Sequence, residues 1–90
     1  MTDPVAQVLE VNAKAVKRGA LSIWTVYNRP KDHSTGYMAR RHEVVGGEER
    51  STMDTLKADL EDIQEIFLAA GLTRLTRDET DDPVIVESWL

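Results

Sequence analysis

Cysteine is absent from the 90 residues, which removes a disulfide framework, thiolate metal sites and thiol chemistry together. No stretch approaches the roughly 20 consecutive apolar residues that a membrane helix needs. The start Met1-Thr2-Asp3-Pro4 lacks the basic residues and apolar run of a secretory leader, so the expected setting is the cytoplasm, with no membrane partner. Aromatic residues are few, with two Trp, two Tyr and one Phe, so the core has to be built mainly from aliphatic side chains. Histidine is scarcer still in functional terms. His33 and His42 are the only two, and a metal reading would require them to converge with Asp32 or Glu43; spacing of this kind is no zinc signature. Also missing are a Gly-rich phosphate cradle, a nucleophile elbow and a Ser/His/Asp order, and Gly46-Gly47 is followed by Glu48-Glu49, which would repel a phosphate. No cofactor, no metal and no enzymatic activity are therefore expected.

What is present is charge, unevenly placed. Residues 1–50 carry eight Lys/Arg against six Asp/Glu, a net +2, and residues 51–90 carry three against ten, a net −7, giving the formal −5 of the chain. Such a division can give two faces of opposite potential, though an acidic excess is ordinarily the solvated side of a helix and a loop. The acidic run Asp78, Glu79, Asp81, Asp82 has oxygen ligands at high density, but without the glycine and closing glutamate of a calcium loop it reads as a solvated turn.

Along the chain, residues 4–18 place Val5, Val8, Leu9 and Val16 at helical spacing, with Pro4 suited to a first turn and Gly19 to an end. Residues 21–27 (Leu-Ser-Ile-Trp-Thr-Val-Tyr) are dense in β-branched and aromatic side chains with neither face plainly polar, which predicts a central or covered strand. A loop at 28–36 leads to a second strand at 37–45. Met53, Leu56, Leu60, Ile63, Phe67 and Ala70 recur at intervals of three and four, predicting an amphipathic helix over 52–70, capped by Ser51 and closed by Gly71. Strands at 72–77 and 84–90 follow, joined by the acidic turn.

The expected fold is a two-layer α+β domain: a four-stranded antiparallel sheet, made as hairpin, long helix, hairpin, with an N-terminal helix. Residues 1–20 form that first helix, loosely attached or docked, and 21–90 the compact domain. Its expected core is Ile23, Val26, Leu56, Leu60, Ile63, Phe67, Leu75, Ile85 and one or both of Trp24 and Trp89.

Trp24-Thr25-Val26-Tyr27 with Pro30 and Asp32, then Ala39-Arg40, then Gly71-Leu72, Arg77, Asp81-Asp82-Pro83-Val84-Ile85-Val86-Glu87 and Trp89-Leu90 form a recognisable set. Together they resemble a group of small uncharacterised bacterial and phage-associated proteins, over about half of the chain. The resemblance implies a compact domain of bacterial or phage origin and brings no activity with it.

One cluster suggests function. Arg29, Lys31, Arg40 and Arg41 lie in or beside the first hairpin with Trp24, Tyr27 and Tyr37. Guanidinium groups beside aromatic rings serve both protein interfaces and nucleic-acid contacts. Arg29, Lys31, Tyr37, Arg40 and Arg41 are the candidate partner-binding residues of a non-catalytic adaptor that engages an acidic protein. A nucleic-acid-associated accessory protein is the alternative, and a structural homodimer without other ligand is the third reading, with Trp89 either in the core or in an edge contact.

Overall fold

A computed structural model gives the fold, and it describes residues 3–28, 36–76 and 85–90. In chain order the elements are α1 (Pro4–Lys17), β1 (Leu21–Asn28), β2 (Tyr37–Val45), β3 (Glu48–Lys57), α2 (Leu60–Ala69), β4 (Arg74–Leu75) and β5 (Ile85–Trp89). The strands make one antiparallel sheet in the order β3-β2-β1-β5-β4. The class is the expected α+β with the N-terminal helix first, but the sheet has five strands, not four.

The extra strand comes from the segment assigned to the start of the long helix. Gly46 and Gly47 adopt φ of 58° and 83°, two successive left-handed residues of the kind that close a tight hairpin. They fold residues 48–57 back onto β2, with Val45 opposite Glu48. Strand parity then puts Leu56 in the core and leaves Met53 89% exposed, so the three-and-four spacing from Met53 to Leu60 runs across the junction of β3 and α2 rather than along one helix. Ser51 is a strand residue opposite His42, and the helix begins at Asp59, whose carbonyl accepts from the Ile63 amide at 3.0 Å. Glu61 and Asp62 in its first turn face the positive end of the helix dipole.

Both helices end alike. The amides of Gly71 and Leu72 return to the carbonyls of Leu68 and Phe67, and those of Gly19 and Ala20 to Val16 and Ala15, each pair at about 3 Å with glycine at positive φ. Helix α1 starts as its sequence predicts: the Asp3 side chain accepts from the Val5 amide at 2.9 Å, and Pro4 occupies the first turn. Its buried face differs from the expected stripe, running through Val8, Val11 and Ala15, while Val16 points to solvent.

The core lies between the sheet and the two helices. Val8 from α1 and Ile63 and Phe67 from α2 pack on Trp24, Val26, Ala39, Leu56 and Trp89. The Phe67 ring sits between the two indoles, at centroid distances of 5.4 Å to Trp24 and 5.5 Å to Trp89, both tilted. Burying each of these rings stabilises the fold by roughly 1.5–3 kcal/mol. Leu60 packs at the edge of this cluster as expected. Ile23 and Ile85 do not join it: alternation turns Ile23 to the opposite side of the sheet, and the register slip between Val26 and Tyr27 sets Ile85 opposite Tyr27 there, while Leu75 on the two-residue edge strand is 40% exposed. The strand expected at 72–77 shortens accordingly to Arg74–Leu75.

Among the described residues no helix is long and apolar enough to cross a membrane.

Candidate functional site

Alternation along β2 sends Arg40 and Arg41 to opposite faces, and their surroundings differ completely. Arg41 lies on the helix side, 4% exposed. Its Nε donates to Asp54 Oδ2 at 2.8 Å, and its Nη1 reaches Glu43 Oε1 at 2.9 Å and Ser22 Oγ at 3.1 Å. Glu43 is in turn held by Arg18, whose Nη2 and Nη1 donate to its two oxygens at 2.6 and 3.3 Å. The Arg18 and Arg41 hydrogen bonds together hold the Glu43 carboxyl down at a pKa of about 2, and the same contact raises that of Arg18. Across from Arg41 the sheet register slips: Arg40 faces Thr55 while His42 faces Ser51, so Thr52, Met53 and Asp54 oppose a single residue. Thr52 Oγ1 stabilises this bulge by donating to the Arg41 carbonyl at 2.7 Å and accepting from the Asp54 amide at 3.2 Å. The whole network ties the end of α1 to β2 and β3.

Tyr37 is also on the helix side, half-buried against the core cluster. Trp24 is fully buried there and donates from its indole nitrogen to Asn12 Oδ1 of α1 at 3.1 Å. On β5 the buried Glu87 accepts from Gln64 Nε2 at 2.6 Å through Oε1, while its Oε2 and the Trp89 indole nitrogen have no hydrogen-bond partner among the described residues.

The other face of the sheet carries Leu21, Ile23, Thr25 and Tyr27 from β1 and Met38, Arg40, His42 and Val44 from β2, with Ile85 opposite Tyr27. Among the described residues neither helix covers it. Tyr27 Oη lies 3.1 Å from His42 Nε2, and His42 Nδ1 lies 3.6 Å from Glu49 Oε1. This bond spans Thr25, which sits between Ile23 and Tyr27 on the same face and is buried. Burial lowers the pKa of His42, with the nearby Arg40 charge adding to the effect and Glu49 opposing it. A neutral ring that accepts from Tyr27 at Nε2 leaves its Nδ1–H directed at Glu49. Arg40 is half-buried between these groups and makes no hydrogen bond or ion pair with the described residues.

Of the five residues picked out by sequence, the structure thus brings Tyr37 and Arg41 to the covered face and Arg40 to the open one. Arg29 and Lys31 lie outside the described residues, as do Asp32, His33 and the acidic run Asp78, Glu79, Asp81 and Asp82. Among the described residues no group of His, Asp and Glu could hold a metal ion. The Tyr27–His42 pair was not legible beforehand, because it depends on the strand register.

A separate groove of about 570 Å³ opens on the helix side. Pro4 and Val5 from α1, Leu56 to Ala58 from the end of β3, and Asp62, Glu65, Ile66 and Ala69 from α2 line it.

No protein-family model, curated protein or solved structure matches the chain.

Proposed function

We propose that the chain is a non-catalytic protein-binding module whose uncovered sheet face receives an acidic partner. The observation that supports this reading is Arg40: a half-buried guanidinium without an ion pair among the described residues, set among Ile23, Tyr27, Met38 and His42 on a face that neither helix covers. A cation in this setting gains most from a carboxylate supplied from outside, because apolar neighbours exclude competing water and the hydrogen bond is charge-assisted. The apolar residues around it supply the contact area that a single charge cannot. Arg41, Arg18 and Glu43 already satisfy one another and act in the scaffold instead. Of the aromatic rings in the hairpin, Trp24 and Tyr37 are on the covered side and Tyr27, on the open face, is hydrogen-bonded to His42, which favours a protein partner over a base-stacking platform for nucleic acid.

The test is a titration of the chain and its Arg40→Ala variant with three probes: an extended peptide alternating valine and aspartate, its valine and lysine counterpart, and a single-stranded oligonucleotide. The reading expects binding of the aspartate peptide alone, weakened in the variant. Binding of the oligonucleotide alone would replace it with the nucleic-acid reading, and binding of none would sink it.

A further inference from the structure

The groove on the helix side differs from the open sheet face in both shape and sign. Its floor is apolar, made by Val5, Leu56, Ile66 and Ala69, and its 570 Å³ falls within the range of pockets that hold a drug-sized molecule or a few side chains. Two carboxylates one turn apart on α2, Asp62 and Glu65, stand at its wall, and neither has an ion-pair partner among the described residues. Asp3 and Asp59, the N-terminal caps of the two helices, adjoin the lining residues Pro4 and Ala58, and Glu61 precedes Asp62. Within the lining itself the two carboxylates of Asp62 and Glu65 stand against the single ammonium of Lys57. Helix α2 carries no basic residue in its last turn to balance its acidic first turn. An apolar trough with an acidic rim fits a guest that is apolar on one side and cationic on its flanks, a form that a basic amphipathic helix takes when it lays its apolar stripe into a groove.

We infer that the groove between the start of α1, the end of β3 and α2 is a docking site for a cationic amphipathic segment of a partner protein. The guest's apolar side chains lie over Val5, Leu56, Ile66 and Ala69, and its lysine or arginine side chains reach Asp62 and Glu65. With Arg40 on the open face and this acidic groove on the helix side, the module can hold two different partners at once.

The experiment is an amide chemical-shift titration of the full chain with a leucine and lysine peptide whose leucines recur at three and four. A leucine and glutamate peptide of the same pattern is the control. The expected result is shifts centred on Val5, Leu56, Ala58, Ile66 and Ala69 with the lysine peptide only. Reversing both exposed charges, Asp62→Lys with Glu65→Lys, should weaken binding about tenfold. Ala69→Trp, which fills the trough, should abolish binding while keeping the dispersed spectrum of a folded chain. Arg40→Ala should bind the peptide as the parent does. The assignment is overturned by an absence of shifts, by equal response to the glutamate peptide, by unchanged affinity in the charge-reversed variant, or by loss of binding in Arg40→Ala, which would put the peptide on the sheet face.

Discussion

Arg40 and Arg41 are adjacent in the chain, carry the same charge and sit on the same strand, yet Arg41 is enclosed by Glu43, Asp54 and Ser22, whereas Arg40 lies between Thr25 and Thr55 without an ion pair among the described residues. The difference extends to the two sides of the sheet. The covered side is filled by side chains that satisfy one another, through the Trp24–Phe67–Trp89 stack and the Arg18–Glu43–Arg41–Asp54 network. Among the described residues the open side shows the Tyr27–His42–Glu49 contacts and places no carboxylate on Arg40. Completing a buried polar network rigidifies a scaffold, whereas a half-buried cation without a counter-ion among the described residues is what the proposed binding reading uses.

This contrast can be broken in several places. Phe67→Ala should do the most damage, about 3–5 kcal/mol, because it removes the ring between both indoles; the denaturant midpoint reads it. Arg41→Ala follows at about 3 kcal/mol, since it leaves the buried Glu43 carboxylate to Arg18 alone and Asp54 without its guanidinium, whereas an exposed pair such as Glu10–Lys14 would cost less than about 1 kcal/mol. Gly47→Ala should cost about 1–2 kcal/mol by forcing a left-handed backbone on a residue with a Cβ, as no atom lies within 4 Å of the added carbon. Arg40→Ala should change stability by less than about 0.5 kcal/mol in thermal melts while weakening the aspartate peptide, and a large loss of stability would erase the distinction between the two arginines.

The pH dependence separates the same two faces. The folded state lowers the pKa of His42, so its contribution is complete above about 6.5 and is lost as the pH falls below that value. Glu43 is also lowered, from 4.5 to about 2, so its contribution is complete above 4.5 and disappears between 4.5 and about 2. Stability measured across this range should fall in two stages, and His42→Gln should remove only the first.

Sequence periodicity located β1, β2, the end of α2 at Gly71 and most of the core, because these depend on local pattern and on residues that need a particular backbone conformation. It misreads 52–57 as helix because Met53 and Leu56 continue the spacing of the true helix, while two consecutive glycines mark a strand end in sequence whether or not they close a hairpin. Alternation alone separated Arg40 from Arg41. What it could not supply was which face the helices would cover, since Ile23, Thr25 and Tyr27 look as suitable for a core as Trp24 and Val26. That choice depends on where Val8, Ile63 and Phe67 land, and only the assembled sheet order reveals it. The groove, formed by three elements distant in sequence, was equally out of reach.

The most direct test of the account is a map of side-chain methyl shifts during titration with the aspartate peptide. The account predicts changes at Ile23, Met38, Val44 and Ile85 on the open face, with Val8, Val26, Leu56 and Ile63 unmoved. Changes confined to the second set, or to neither, would contradict the assignment of the open face as the binding face.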